Sequence, residues 1–333
     1  MSEVRTIGLL YETLEDAMEF GLPLERLDHW REEHEIAAIE NAVQSAGFDT
    51  LRMGNPYDFI AKWSSLPAKP EFILSLSVGF RSRFRQALGA MACELTHIPY
   101  SGPDPYAKLA GQNKQLLKAL FDKLSVPTPA WAYVHSSDML NQKFPPFPLI
   151  VKPACEGTSV GINEKAIVTT VSSLREYAHH ILHDLGYPVI VEKFIEGKEY
   201  KLCYTGNAPD IWRGMIEDVR EDGSALGKEF FHYNAKRDRL FKKVKRNLSG
   251  DVYKPLVEIC DFVYSLLAPA DYGVFDIRED RNGNFFIIDY NTDATLHPDK
   301  TLATCSRLHG ISYGQLIQSI LKASFIRQGL RWY

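Results

Sequence analysis

Apolar and polar residues follow two different periods in the first third of the chain. Short apolar runs such as "TIGLLY" and "FILSLS" are typical of buried strands. In "REEHEIAAIENAVQSAGFDT" the apolar residues recur every three or four positions, which predicts an amphipathic helix that Gly47 ends. A second helix is expected over "FRQALGAMACELT". This alternation of strand and helix predicts a small α/β layer domain over residues 1–104.

A connection rich in proline, "IPYSGPDPYAK", precedes a second block, which we assign to residues 105–197. This block is predicted to run helix, strand, helix, strand, over "AKLAGQNKQLLKALFDKL", "PFPLIVKPA", "VSSLREYAHHILHDLG" and "PVIVEKFI". The third block, residues 198–333, begins with the strand "KEYKLCYT". Its remaining predicted elements are the basic loop "NAKRDRLFKKVKRN", the helix "DVYKPLVEICDFVYSLLA", the hairpin "GVFDIREDRNGNFFIIDYN" and a closing helix near "YGQLIQSILKASFI".

The hairpin is the most informative stretch, because it contains the dipeptide Asn282-Gly283, which favours two-residue type I′ turns. A turn at that dipeptide places Asp276 directly opposite Asp289. Side chains alternate between the two faces of a strand, so Asn291 shares a face with both acids. The core face is then predicted to hold Phe275, Ile277, Phe286, Ile288 and Tyr290.

Directly opposed carboxylates have Cβ atoms about 4.5–5.5 Å apart and repel one another. A cation between them, or protonation of one acid, would account for such a pair. Two carboxylates and an amide oxygen form an all-oxygen set that suits Mg²⁺ (or Mn²⁺) with substrate phosphates. The alternative is a solvated strand face. We favour the metal because Asp and Asn are poor strand formers, and we assign the ligands to Asp276, Asp289 and Asn291.

Composition and charge restrict the class of protein. The chain has 333 residues and a formal charge of −4, so it offers no global attraction to nucleic acid or to an anionic membrane. Its five cysteines show no C-x-x-C spacing, which argues against a disulfide framework or a zinc site and fits a reducing compartment. No signal peptide and no apolar run near the roughly 18 residues of a bilayer span are present. We therefore expect a cytoplasmic protein.

The segment "VKPACEGTSVGI" places Lys152 at the end of an apolar run and follows it with glycines and hydroxyl residues. Gly157 and Gly161 let the backbone approach phosphate closely, and Thr158 and Ser159 add hydroxyl donors. Taken alone, a turn containing glycine is more often only a turn. The chain has neither a Walker G-x-x-x-x-G-K-[ST] motif nor a G-x-G-x-x-G after its first strand, which argues against P-loop and dinucleotide enzymes.

Together, these motifs resemble the ATP-grasp superfamily, and within it D-alanine–D-alanine ligase and its relatives. The resemblance extends from about Glu33 to the end of the chain. It depends on the order and spacing of the segments "HE" at His34-Glu35, "IPYSG", "NK" at Asn113-Lys114, "VKPACEGTSVG", "VEKFIEGKE", "AK" at Ala235-Lys236 and "FD…IIDYN".

The resemblance implies three domains, with ATP held between the sheets of the central and C-terminal ones. It implies ADP-forming ligation of a carboxylate to an amine through an acyl phosphate, with ATP and Mg²⁺ as cofactors. It also implies small-molecule substrates, no nucleic-acid or membrane partner, and a homodimer. The residues implied to bind ATP are Lys114, Lys152, Glu156, Gly157, Thr158, Ser159, Glu192, Lys193, Ile195, Glu199 and Lys236. Asp276, Asp289 and Asn291 match the metal ligands of the family.

The substrate side departs from the family pattern. The family has an arginine two residues before its first metal aspartate, and this chain has Val274 there. Arg278 shares a face with Asp276 and is a candidate replacement, so we take Lys236, Arg278 and Ser159 as catalytic candidates. Thr295 stands where the family has a glycine in its closing loop, and Arg237 stands where it has a tyrosine.

Glu35 matches the family acid that orients the amino group of the first substrate, although it is also readable as a helix-end acid. We take Glu35, Arg237 and Thr295 as substrate-binding. These departures favour a ligase for a carboxylate other than D-alanine. The alternatives are D-alanine–D-alanine ligase itself and an inactive ATP-binding scaffold. The basic run from Lys236 to Arg246 is interpreted as a cover for phosphate or an acidic substrate.

Overall fold

The computed structural model describes residues 4–22, 31–80, 82–157, 162–230, 241–249 and 251–332. Three separate sheets organise this part of the chain, and each sheet lies within one of the three predicted blocks. The exact block boundaries remain predictions. Within the described ranges, no helix combines the length and the apolar composition that a bilayer span requires.

The N-terminal sheet is parallel, with the strand order β2-β1-β3. The helix predicted to follow β1 is present, and Ile36, Ile39 and Val43 form its buried face. The helix ends just before Gly47, whose φ of +94° favours glycine. The elements of this block are β1 (Thr6–Leu10), α1 (Leu14–Glu19), α2 (Glu33–Ser45), β2 (Asp49–Gly54), α3 (Pro56–Lys62), β3 (Phe72–Ser75) and α4 (Leu88–Thr96).

The central sheet is antiparallel and has the order β4-β7-β5-β6. The single helix predicted over residues 107–124 is instead two helices. Asn113 separates them, and its side chain accepts a hydrogen bond from the Leu116 N–H at 3.1 Å and thereby caps the second helix. The elements are α5 (Pro105–Gln112), α6 (Lys114–Lys123), β4 (Trp131–Val134), β5 (Leu149–Pro153), β6 (Ile167–Val168), α7 (Val171–His179) and β7 (Val189–Lys193).

The C-terminal sheet has five antiparallel strands in the order β10-β9-β8-β11-β12. Two of these strands were not predicted, and one of them, β10, lies in the segment that was interpreted as a basic loop. The elements are β8 (Lys198–Thr205), β9 (Trp212–Val219), β10 (Lys242–Arg246), α8 (Lys254–Leu266), β11 (Tyr272–Glu279), β12 (Phe285–Asn291), α9 (Thr301–Leu308) and α10 (Tyr313–Arg327).

The two faces of this sheet differ in character. One face is mainly apolar and packs against α5, α6 and α8 through residues such as Leu202, Phe275 and Ile287, although Arg213 and Glu217 of β9 also lie on it. The other face is apolar only at one end, where Cys203 and Val274 join the core that α9, α10 and the N-terminal sheet share. Its other end carries charged residues such as Glu199, Lys201 and Asp276, and the region between them and Lys152 and Glu192 of the central sheet is called the cleft below.

The hairpin confirms the predicted pairing of Asp276 with Asp289, but the predicted two-residue turn is wrong. Near the turn Glu279 pairs with Phe285, and the five residues between them include Gly283 at φ +83°. A bulge between Asp276 and Ile277 then shifts the register by one residue. The register change at the turn and the bulge offset one another, so Asp276 still pairs with Asp289.

The bulge also changes the predicted core face of the hairpin. Phe275, Ile277 and Tyr290 are buried as expected. Ile287 is buried as well, whereas Phe286 and Ile288 are only half-buried. The extra residue of the bulge therefore moves Ile287 onto the core side.

Candidate active site

Each acid of the opposed pair has its own lysine. Lys114 Nζ lies 2.9 Å from Asp289 Oδ2, and Lys201 Nζ lies 3.0 Å from Asp276 Oδ1. Both lysines are buried, whereas the side chains of Asp276 and Asp289 remain 38% and 21% exposed. Burial acts to raise the pKa of Asp289, but attraction to Lys114 outweighs it, so the pKa lies below its ordinary value. The second oxygen of Asp289, Oδ1, accepts a hydrogen bond from the Tyr290 N–H at 3.1 Å.

Lys114 is positioned by the start of α6. Its backbone N–H donates to the Ala154 carbonyl at 2.9 Å, which ties the first turn of the helix to the end of β5. Its ammonium also donates to the Glu156 carbonyl at 2.9 Å. The lysine predicted to contact phosphates therefore joins the glycine loop to the opposed acids.

A second ionic cluster lies on the central sheet. Glu192 is buried on β7, and its carboxylate forms ion pairs with Lys152 Nζ at 2.5 Å and with Lys118 Nζ at 2.8 Å. Burial acts to raise the pKa of Glu192, but the two ammonium groups outweigh it and hold the pKa low. Glu192 was predicted to line the adenosine pocket, and its carboxylate instead fixes two lysines. Lys118, which also donates to Thr128 Oγ1 at 2.8 Å, was not predicted.

The lysine on β8 links the two ends of the charged face. Lys201 Nζ lies 2.7 Å from Glu199 Oε1 as well as beside Asp276. Burial opposes ionisation of Glu199, but Lys201 and Arg278 together lower its pKa to about 2. Glu199, predicted to reach ribose hydroxyls, thus orients a lysine.

Arg278 does not occupy the place of the missing family arginine. Its guanidinium donates to the carbonyls of Gly197, Gly227 and Glu229 at 3.0–3.4 Å and lies over the Phe194 ring at 4.8 Å. It sits beyond Asp276 toward Glu199, whereas Val274 lies on the other side of Asp276, opposite Asn291. The structure thus places Arg278 against backbone carbonyls away from Val274, and its catalytic role remains a prediction.

The basic run is in part structural too. Lys243 Nζ lies 2.6 Å from Asp218, and Arg246 Nε lies 2.7 Å from Glu217, so two of its cations hold β10 against β9. Burial raises the pKa of Asp218. Only the remainder of the run is left for the predicted covering role, and Lys236 and Arg237 lie outside the described residues.

The predicted substrate-binding residues Glu35 and Thr295 come together through a residue that was not predicted. Arg31 Nη1 lies 2.6 Å from Glu35 Oε1 and 2.8 Å from Thr295 Oγ1, and Nη2 donates to the Leu76 carbonyl at 2.9 Å. All three segments meet in the buried region between the N-terminal sheet and the loop after β12. Four positions separate Arg31 from Glu35 in the sequence, which was a usable signal for an ion pair across one helical turn.

The glycine loop is described only at its start. Glu156 makes a buried ion pair with Arg85 at 2.7 Å, so the N-terminal block contacts the loop directly. A Cβ built on Gly157 would meet only Gln86 Nε2 at 3.6 Å, so the protein's own packing does not require glycine there. Thr158, Ser159 and Gly161 lie outside the described residues.

Lys193 and Ile195 follow Glu192 along the strand and its linker. The Lys193 ammonium donates to the Phe147 carbonyl at 2.9 Å, away from the Glu192 cluster. Ile195 is buried. Their predicted contact with adenosine would involve backbone groups and remains a prediction.

The oxygen atoms of the hairpin suit a hard divalent ion. Within the described ranges, no three His, Cys, Asp or Glu side chains form a metal-binding group. An ion here would depend on Asp276, Asp289, the exposed Asn291 amide and oxygens that phosphates supply. Because carboxylate and amide oxygens are the hard ligands that Mg²⁺ prefers, the donor set fits Mg²⁺.

An opposed acid pair on the C-terminal sheet, together with buried lysines of α6 and of the central sheet, is typical of an ATP-grasp fold. A family model described as "D-ala D-ala ligase C-terminus" matches residues 120–322. D-alanine–D-alanine ligase of Pseudomonas fluorescens is 27% identical over 299 residues, which cover 88% of this chain and 86% of that protein.

Two solved structures share the fold over nearly their whole length. D-alanine–D-alanine ligase from Bacillus anthracis, complexed with ATP, has a TM-score of 0.70 and 18% identity, covering 98% of this chain and 99% of that one. The VanG D-Ala:D-Ser ligase from Enterococcus faecalis has a TM-score of 0.68 and 14% identity, covering 97% of this chain and 100% of that one.

The chain belongs to the D-alanine–D-alanine ligase family, since the family model matches more than half of it. The family consists of ADP-forming carboxylate–amine ligases that use ATP and Mg²⁺. The resemblance inferred from the motifs is thereby confirmed.

Proposed function

We propose that the protein catalyses D-alanine–D-alanine ligation, forming a dipeptide and ADP. The observation that carries the proposal is the pairing of Asp276 with Asp289, each acid beside a buried lysine, on the strand face toward the central sheet. The sequence analysis preferred a carboxylate other than D-alanine. The relatives support its alternative, D-alanine–D-alanine ligase, better than its first choice.

The reaction needs two steps because a carboxylate is a poor acyl donor. An oxygen of the first substrate's carboxylate attacks the γ-phosphorus of ATP, the bond to the β-phosphate oxygen breaks, and an acyl phosphate and ADP form. The amine of the second substrate, after losing a proton, then attacks the acyl carbon, and inorganic phosphate leaves. Charge develops on phosphoryl oxygens and then on the acyl oxygen, so fixed cations accelerate the reaction.

The lysines provide those cations. Lys114 and Lys152 come from different elements and both face the cleft, held by Asp289 and Glu192. Their carboxylate partners fix the positions of the ammonium groups before ATP arrives, so little reorganisation is needed during the reaction. Asp276, Asp289 and Asn291 would hold Mg²⁺, which supplies further charge neutralisation on the phosphates when bound.

The Arg31–Glu35 pair has the chemistry to recognise an α-amino acid. Such a substrate is a zwitterion, whose ammonium suits Glu35 and whose carboxylate suits the planar fork of Arg31. In the ligand-free protein the two side chains satisfy one another at 2.6 Å. A bound zwitterion would take over both charges, and Thr295, which already accepts from Arg31, would lie beside it.

A second candidate function keeps the same donor chemistry and changes the second substrate. Val274 is 4% exposed and packs in the core that contains Leu76, Ala294 and Leu296, so β11 offers no cation at the acceptor end. An acceptor that needs no arginine on this strand fits that surface. In either case we propose a cytoplasmic enzyme, acting as a homodimer.

The test measures ADP release with Mg²⁺-ATP and D-alanine alone, and then with D-alanine beside D-serine, other amino acids and simple amines. Mass spectrometry identifies the product. D-alanyl-D-alanine formed from D-alanine alone supports the first function, and turnover only with a second amine supports the second. Binding of a non-hydrolysable ATP analogue without turnover on any pair would support the inactive scaffold.

A further inference from the structure

Arg85 joins the N-terminal block to the start of the glycine loop. Its Nη2 lies 2.7 Å from Glu156 Oε2, and both side chains are buried. The two residues are 71 positions apart in the chain, so only the tertiary fold brings them together. Arg85 was not among the predicted site residues, and it lies outside residues 120–322, which the family model matches.

The guanidinium of Arg85 is anchored within its own block. Nη1 donates to the Val78 carbonyl at 2.6 Å and to the Gly79 carbonyl at 3.4 Å. The N–H groups of Val78 and Gly79 donate in turn to the carboxylate of the fully buried Glu12, at 2.9 and 3.0 Å. Gly79 has φ +64°, and a Cβ there would clash with the Arg85 carbonyl, so this approach requires glycine. The position of Arg85 is therefore fixed independently of Glu156.

On the loop side, the contact leads to the acid pair. The backbone carbonyl of Glu156 accepts from Lys114 Nζ at 2.9 Å, and the same ammonium lies 2.9 Å from Asp289 Oδ2. Glu156 is thus held through its side chain by Arg85 and holds Lys114 through its backbone. A continuous series of polar contacts connects the N-terminal block to the acid pair.

A second link between the same two segments lies beside the first. The Gln86 N–H donates to Gln112 Oε1 at 3.2 Å, and Gln112 Nε2 donates to the Cys155 carbonyl at 3.2 Å. Gln86 follows Arg85 in the chain, and Cys155 precedes Glu156. Two neighbouring residues of the N-terminal block therefore hold two neighbouring residues at the start of the glycine loop.

Arg327 provides a comparison within the same molecule. It pairs with the buried Asp271 at 2.8 Å and donates to two backbone carbonyls of the N-terminal block, so it joins α10 to that block by the same kinds of contact. Asp271 also accepts from Ser324 of α10 at 2.7 Å. The partner of Arg327 thus holds a core hydroxyl, whereas the partner of Arg85 holds the lysine of the acid pair.

We propose that Arg85 is a positioning residue for the ATP end, which fixes the ammonium of Lys114 through Glu156. The proposal rests on the ATP-dependent function above. Because Glu12 anchors the segment that holds the arginine, the ammonium keeps one position and needs little reorganisation when charge develops on the phosphates. Without Arg85, Lys114 keeps Asp289 but loses the fixed carbonyl on its other side.

The experiment measures the affinity for adenylyl imidodiphosphate with Mg²⁺ by isothermal titration calorimetry, without amino-acid substrates. Arg85→Met and Glu156→Gln are each expected to bind the analogue about tenfold more weakly than the wild type, because both lose the same charge-assisted contact. The double variant is also expected to bind about tenfold more weakly, and not about a hundredfold, because the two residues act as one unit.

Arg327→Met is the matched control for a loss of stability alone. It removes a buried ion pair and two contacts with backbone carbonyls, as Arg85→Met does, so urea unfolding should show that both variants are destabilised. Its affinity for the analogue should equal that of the wild type.

The kinetics of ADP release give a second measurement. Glu156→Gln keeps the contact of Arg85 with Val78, and Arg31 still donates to the Leu76 carbonyl, so the segment 76–79 keeps both of its arginines. KM for ATP should therefore rise while KM for D-alanine stays constant. A general loosening of the N-terminal block would raise both KM values and would contradict a positioning role.

Wild-type affinity for the analogue in a folded Arg85→Met would overturn the proposal, and Arg85→Gln replaces this variant if urea unfolding shows that it does not fold. Effects that multiply in the double variant would also overturn it, because Glu156 would then act on the nucleotide independently of Arg85. Equal weakening in Arg327→Met would assign the effect to stability. Failure of the wild type to bind the analogue at all would contradict the proposed function itself, which separates the two failures.

Discussion

The two ends of the cleft differ in the kind of residues that form them. At the ATP end, Asp276, Asp289 and Glu192 each have a lysine within 3.0 Å, supplied by β8, α6 and β5. At the amino-acid end, Val274 packs among apolar residues, and the Arg31–Glu35 pair is the charged contact that the described residues provide beside Thr295.

The difference follows from the ligands. A triphosphate carries the same dense charge in every enzyme that uses it, so rigid paired cations suit it well. A small amino acid offers one charge of each sign and a short side chain, so its site can be formed in several ways. We expect substitutions at the ATP end to stop all turnover, and substitutions at the amino-acid end to change the selection of substrate.

Asp289→Asn should have the largest effect on activity. The change removes a carboxylate oxygen from the cleft and leaves the buried Lys114 without its carboxylate, so ADP release should fall by about 10²–10³-fold. The measurement is ADP release with saturating ATP. Circular dichroism should show a retained fold.

Asp222→Asn is the matched control, because Asp222 lies exposed in a turn and accepts from Ser224. It should leave turnover unchanged. Wild-type activity in Asp289→Asn would show that the acid pair is not the site of ATP chemistry.

Glu192→Gln should have the largest effect on stability. It leaves two buried lysines, Lys118 and Lys152, without a carboxylate, and breaking a buried ion pair costs about 3–5 kcal/mol. Urea unfolding should show a free energy of unfolding lower by that amount. A value close to the wild type would mean that water or a rearranged carboxylate satisfies the lysines.

Glu196→Gln is the control on the same segment. Glu196 pairs with the exposed Arg281 at 3.0 Å, and exposed pairs contribute about 0–1 kcal/mol. The contrast between the two variants tests whether burial gives the Glu192 cluster its strength.

Arg31→Met should separate the two ends of the cleft. If Arg31 holds the substrate carboxylate, KM for the amino acid should rise about 10–100-fold while KM for ATP stays constant, because charge-assisted hydrogen bonds are lost at one end only. Arg52→Met is the control, since Arg52 on β2 makes exposed ion pairs with Glu33 and Glu40 of α2. Equal increases in both KM values would indicate that Arg31 supports the fold rather than the substrate.

The residues of the ATP end could be predicted from the sequence better than those of the amino-acid end, for a physical reason. Hairpin pairing is local, so the Asp276–Asp289 pairing could be predicted even though the turn type was wrong and a bulge compensated for it. Lys118 and Lys201 were missed because each depends on a neighbour from a different element, whereas Arg31 was missed although its spacing from Glu35 was a usable local signal. A lysine in a strand or helix looks like an ordinary surface residue until tertiary packing buries it.

The position of Arg278 also depends on packing that the sequence does not show. Its two-residue spacing from Asp276 places both side chains on one face, but says nothing of direction along the strand. The structure shows that Arg278 extends toward Gly197 and Glu229, away from Val274. A shared face is therefore necessary for a shared site, and it is not sufficient.

Acid should weaken the charged face of the C-terminal sheet through Glu199. Its pKa is about 2 in the folded protein against an ordinary value of 4.5, because Lys201 and Arg278 outweigh the effect of burial. A carboxyl whose folded pKa is depressed stabilises the protein fully above its unfolded pKa, and the stabilisation is lost as the pH falls toward the folded value. Between pH 6 and pH 2 the loss should be on the order of 3 kcal/mol.

Urea unfolding of the wild type and of Glu199→Gln across this range should show that the difference between their free energies of unfolding shrinks as the pH falls, because glutamine does not titrate. A difference that stays constant from pH 6 to pH 2 would contradict a depressed pKa at Glu199 and would leave Lys201 without its charged partner on β8.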